Sequence, residues 1–167
     1  PGVFALNGGA IQGNDWNLHD NGQEGFYLES AATIVDGLTL ENNGNSGVHI
    51  DDARYVYLSN LSSSNNGDAG LEFNRANDIE SGSGDVSCVS CISVGNNRGV
   101  AITDSVDIYL EDLQIHDPLT GPAISIDNSG LNIGVQGGLF HLHDVEAWVN
   151  TSGPAIEISS AEGVIDG

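Results

Sequence analysis

Residues Gly47 to Phe73 read GVHIDDARYVYLSNLSSSNNGDAGLEF. The stretch opens on a glycine followed by alternating apolar and polar residues. It passes a corner of small residues, runs through a second alternating segment from Val56, turns at Asn65-Asn66-Gly67, and opens again on Gly70. Outward from it, the same glycine-led phrase recurs as GVFAL at Gly2, GFYLES at Gly25, GVAITD at Gly99, GPAISI at Gly121 and GPAIEI at Gly153. The glycine-to-glycine spacings are 23, 22, 23, 29, 22 and 32 residues. A sustained period of this size is the signature of a solenoid.

A second phrase follows each glycine, as in IVDG ending at Gly37, VYLSN from Val56, IYLED from Ile108 and GVQGG from Gly134. An Asn-rich turn precedes most of the opening glycines: Asn21-Gly22, Asn42-Asn43-Gly44, Asn65-Asn66-Gly67 and Asn96-Asn97. Period-two alternation argues for strands, and no long window carries a helical period. The inward positions of the glycine-led strand are Phe26 and Leu28, Val48 and Ile50, Leu71 and Phe73, and Val100 and Ile102. Pro122 with Ile124 and Pro154 with Ile156 continue the series. Coils of about 22 residues suit an all-β parallel β-helix of about seven coils, stacked about 4.8 Å apart. The turn asparagines then lie above one another, and their amides can form a hydrogen-bonded ladder. The repeat resembles that of the right-handed parallel β-helix superfamily with the pectate-lyase-like fold. The resemblance covers the whole chain and implies the fold. It implies no single chemistry, because such folds host many activities and some members have none.

The length fits one domain. Its repeats begin and end mid-pattern, which we read as a piece of a longer chain or a subunit stacking on neighbours. Against 24 acidic residues stand only Arg54, Arg75 and Arg98, for a formal charge of -21. This charge argues against nucleic acid and anionic membrane surfaces as partners. It makes a polyanionic glycan an awkward ligand unless calcium bridges it, and it offers many oxygen ligands for Ca2+. No stretch is long and apolar enough for membrane insertion.

Stacking the outward positions of the glycine-led strands assembles a first row of Tyr27, His49, Glu72 and Ala101. A second row runs Glu29, Asp51, Asn74 and Thr103, with Arg54 and Arg75 at the adjacent corner. Tyr, His and carboxylates within a few coils are the groups needed for proton transfer at a sugar ring or for a two-carboxylate glycosidase. Tyr27, His49, Glu72, Asp51 and Arg75 are therefore the catalytic candidates, on a face that lyases and epimerases of the resembling fold use. The epimerase Asp-Pro-His-Glu motif and the polygalacturonase motifs are missing, and there is no Lys. Trp148, Glu29 and Asn74 are candidate glycan contacts. Trp148 is expected in a loop formed by an insert from His143 to Ser152, and a second insert spans Ser81 to Asp85.

Asn60 and Asn150 head glycosylation sequons. The repeat alignment sets Cys88 with Val35, Leu58 and Leu110, and Cys91 with Leu38, Leu61 and Leu113. That predicts two core thiols in preference to a local disulfide or a metal site. Asp15, Asp20, Glu24, Asp36 and Glu41 are possible calcium ligands without a recognised loop, and His141 and His143 share a face.

These readings point to a structural or adhesive module of an extracellular or cell-surface protein. Its expected partners are a polysaccharide or neighbouring subunits in a homo-oligomer or fibre. The alternatives are a polysaccharide lyase, epimerase or hydrolase, and a phage tail-spike-like receptor-binding fibre.

Overall fold

A computed structural model describes residues 1–76, 85–127, 140–150 and 154–167. It holds two seven-stranded sheets, each wholly parallel. The first stacks the glycine-led strands: β1 (Val3–Leu6), β3 (Phe26–Glu29), β5 (Val48–Asp51), β7 (Ala69–Asn74), β9 (Arg98–Thr103), β11 (Ile124–Asp127) and β13 (Ile156–Ser159). The second stacks the longer ones: β2 (Ala10–His19), β4 (Ala32–Glu41), β6 (Val56–Ser64), β8 (Val86–Val94), β10 (Ile108–His116), β12 (Phe140–Trp148) and β14 (Gly163–Asp166). Each strand pairs with its counterpart one coil away, which makes a parallel β-helix of seven coils. Among the described residues no helix occurs, and so none is long and apolar enough to cross a membrane.

Three columns of left-handed residues turn the chain and give each coil three sides. Asn7, Ser30, Asp52, Arg75 and Asp104 close the first strand with φ between 47° and 55°. Asp15, Gly37, Asn60, Ser90, Asp112 and Asp144 bend the long strand at its middle, with φ between 48° and 72°. Asp20, Asn42, Asn65, Gly95 and Asp117 start the Asn turn. Asn, Asp and Gly tolerate this region best, so the corner chemistry is written in the sequence.

The apolar column expected inside is present. Phe26, Leu28, Val48, Ile50, Leu71, Phe73, Val100 and Ile102 are wholly buried and meet Val35, Leu58, Leu110 and Leu113 of the second sheet. Each such side chain contributes roughly 1.5–3 kcal/mol when fully buried. In the last two copies the inward pairs are Ile124 with Ile126 and Ile156 with Ile158. Pro122 and Pro154 are therefore not inward strand positions, and the register predicted there is two residues early. Ala123 and Ala155, whose carbonyls receive Val100 N and Ile124 N, occupy the sites that Gly25 and Gly47 hold earlier.

The Asn ladder is also present. Asn21 Nδ2 donates to Asn43 Oδ1 at 2.8 Å, Asn43 Nδ2 to Asn66 Oδ1 at 2.8 Å, and Asn66 Nδ2 to Asn96 Oδ1 at 3.0 Å. The same oxygens accept the backbone N–H groups of Asn21, Asn43 and Asn66. The opening glycines answer first to the backbone of the next coil. A Cβ at Gly2, Gly25, Gly47, Gly70 or Gly99 would lie 2.3 to 3.0 Å from the carbonyl oxygen of Gly25, Gly47, Gly70, Gly99 or Ala123 respectively. At the first four it would also lie 2.8 to 3.0 Å from the ladder amide nitrogens of Asn21, Asn43, Asn66 and Asn96.

Three expectations need correction. Cys88 and Cys91 face the core as predicted and are fully buried, but they are joined in a disulfide. The bend at Ser90 turns both inward, with their Cα atoms 6.1 Å apart. The segment from His143 is no loop, since β12 runs through it in register with β10. Trp148 consequently ends a strand. Gly134 to Gly138, most of the insert at Ser81, and Thr151 with Ser152 lie outside the described residues.

Candidate functional site

The first sheet brings the two outward rows together as the sequence predicts. Tyr27 pairs with His49, His49 with Glu72, and Glu72 with Ala101. Glu29, Asp51, Asn74 and Thr103 run alongside. Phe4 precedes Tyr27 in the row, its ring 5.0 Å away and stacked. The Tyr27 and His49 rings are also 5.0 Å apart but tilted by 51°. His49 Nδ1 lies 3.4 Å from Glu72 Oε2.

These polar groups are committed to one another. Glu72 Oε2 accepts the Ser46 hydroxyl at 2.6 Å, while its Oε1 is 3.9 Å from Arg98. Arg98 grips Asp68 with two bonds of 2.9 Å. Tyr27 donates its hydroxyl to Glu29 at 3.1 Å. Burial, then the Glu29 hydrogen bond, then the charges of Glu29, Asp51 and Glu24 push the Tyr27 phenol up to about 12. A phenol so raised is a poor base near neutral pH. Asp51 accepts from Asn74 at 3.3 Å and from Arg75 at 2.9 Å, and that contact raises the Arg75 guanidinium further above its ordinary value. Among the described residues, one buried side-chain polar atom has no hydrogen-bond partner, His49 Nε2.

Sequence reasoning missed Ser46, Asp68 and Arg98 as parts of this network. Ser46 and Arg98 each stand immediately before an opening glycine, and Asp68 stands two before one. The turn alignment therefore held the signal.

The other candidates are dispersed. Trp148 stacks on His116 with ring centroids 4.1 Å apart, on the second sheet and away from Glu29 and Asn74. Asn60 is the left-handed corner residue of β6 and donates to Asp36 at 2.7 Å. Hydrogen bonds from Ser59 and then Asn60 hold the Asp36 carboxyl below its ordinary value. Asn150 lies exposed beyond the end of β12, as a loop position requires, and donates to Asp117 of the preceding coil. Among the described residues no three His, Cys, Asp or Glu side chains gather as a metal site. Asp15, Asp20, Glu24, Asp36 and Glu41 thus form no calcium cage of their own. His141 and His143 do share a face, where His141 stacks on Tyr109 and His143 bonds Asp166.

A family model described as a right handed beta helix region matches residues 1–140 of the chain. No curated protein and no solved structure matches it.

Proposed function

The chain belongs to the right-handed β-helix family, and from that premise we propose that it serves as a rigid, non-catalytic display module. We place it on a secreted or cell-surface protein, where its acidic faces meet a polysaccharide or neighbouring subunits. One observation carries this reading: the side chains best suited to catalysis are spent on one another. Tyr27 is tied to Glu29, Glu72 to Ser46, and Arg98 to Asp68. The row reads as an outer counterpart of the Asn ladder, a polar seam that fixes coil on coil. The buried Cys88–Cys91 disulfide supports an oxidising compartment.

The second reading is a polysaccharide lyase, epimerase or hydrolase acting through Tyr27, His49 and Glu72. The open valence of His49 Nε2 favours it. A panel of neutral and uronate polysaccharides, assayed for new reducing ends and for unsaturated products, separates the two. The display reading expects neither product, and expects His49→Ala and Glu72→Ala to lower the melting temperature. Turnover that both variants abolish while remaining folded would establish the enzyme instead.

A further inference from the structure

The corner between the two sheets is uneven over the first three coils. Three residues, Asn7 to Gly9, join Leu6 to Ala10, whereas only Ser30 and Ala31 join their partners Glu29 and Ala32. In the third coil the four residues Asp52 to Tyr55 join Asp51 to Val56. Their partners, Glu29 and Thr33, are separated by three. The second coil is thus one residue shorter than each neighbour, and a groove of about 380 Å³ opens over it. It is lined by small residues such as Gly9, Ala31 and Ala32, together with Asp52, Arg54 and Tyr55.

Tyr55 holds a left-handed φ of 55° and is 62% exposed. That backbone conformation is costly for an aromatic residue, and Asp107, which stands before β10 as Tyr55 stands before β6, adopts it too with a φ of 51°. The Tyr55 carbonyl receives Thr33 N at 3.1 Å, which fixes the residue to the coil below. Beside it the Ser30 hydroxyl donates to Asp52 at 3.1 Å.

We propose that this groove binds a neutral saccharide of one or two rings. An exposed aromatic face beside small lining residues suits the apolar face of a sugar. Arg54 and Tyr55 bring polar groups to the same groove, and the Ser30–Asp52 pair keeps hydroxyl and carboxylate lone pairs that can accept from a sugar hydroxyl. The volume lies at the small end of ligand pockets, which run to about 300–1,000 Å³. The formal charge of -21 repels polyanions and leaves uncharged sugars unaffected. This site goes beyond the display reading, because a sugar seated here is compatible with a silent or an active Tyr27–His49–Glu72 row.

The test is a 1H–15N NMR titration of the chain with cellobiose, maltose, mannobiose, chitobiose and galactobiose at millimolar concentration. At least one sugar is expected to shift the amides of Gly8, Gly9, Ala32 and Tyr55. Tyr55→Ala should weaken that binding about tenfold. Gly9→Phe should abolish it by filling the groove. Gly9 lacks a left-handed φ, and a Cβ there meets nothing nearer than the Leu6 carbonyl at 4.0 Å, so this variant is compatible with the fold. Tyr109→Ala, on the outer face of the second sheet, should leave the affinity unchanged. The proposal is overturned if none of the five sugars shifts these amides, or if Tyr55→Ala and Gly9→Phe both bind like the parent chain.

Discussion

The asparagine is the residue on which this molecule turns. Asn66 accepts from both nitrogens of Asn43 and donates to Asn96 at 3.0 Å and to Ser63 at 3.0 Å. Asn66→Ala leaves the buried Asn43 N–H without a partner and removes the bonds that Asn66 Nδ2 gives to the Leu40 carbonyl, Ser63 Oγ and Asn96 Oδ1. Each such loss costs about 1–3 kcal/mol. We expect about 3 kcal/mol of destabilisation by urea unfolding, against about 1 kcal/mol for Asn21→Ala, whose side chain makes a single rung at the half-buried start of the ladder. Equal effects at the two positions would mean that the rungs do not act as a ladder. The asparagines were legible in the sequence because a turn amide repeated at a fixed period has one obvious use. The reason for the glycines was not, since it depends on how closely the next coil's carbonyl approaches. Arg98 was read only as one of three cations, because its role comes from Asp68 lying in the turn one coil before.

At the scale of the element, β12 and β14 show how a register decides chemistry. His143 faces Asp166 across their pairing, with Nδ1 3.0 Å from Oδ1. That hydrogen bond first, and the Asp144 charge next, raise the His143 pKa above its ordinary 6.5. The sign follows: a raised folded pKa stabilises below 6.5 and loses its contribution as pH rises through the raised value. β14 is therefore expected to be held most firmly in mild acid. Amide exchange at Val164 and Ile165, corrected for intrinsic rates, should show protection falling as pH climbs above 6.5. His143→Gln should remove that dependence, and a dependence that survives the substitution would assign it elsewhere. The sequence offers only that His141 and His143 share a face, because an insert beginning at His143 reads as a loop and hides the pairing with Asp166. The extra length of that coil precedes Phe140, and neighbouring repeats alone do not say on which side of a strand an insertion falls. The disulfide was half legible. Cys88 and Cys91 both aligned with core leucines, and two inward positions three apart already demand a bend between them. What the alignment lacked was the geometry of the left-handed bend that Ser90 shares with Asn60 and Asp112, which holds the two cysteine Cα atoms 6.1 Å apart.

Over the whole molecule, the charge works against the stacking that the ladders hold together. Carboxylates on successive coils stand about 5 Å apart, well within the screening length of about 10 Å at 0.1 M salt, so the -21 charge works against both stacking and association. The melting temperature is therefore expected to rise as NaCl is raised to about 0.5 M. A melting temperature that stays constant over that range would mean that repulsion between coils is already offset by the hydrogen bonds of the polar rows. Association that screening permits is expected on a lateral face, where Ile34, Tyr57 and Tyr109 form the exposed apolar part of the second sheet. Sedimentation of the chain across the same salt series checks it, and Tyr57→Glu should suppress any association that appears.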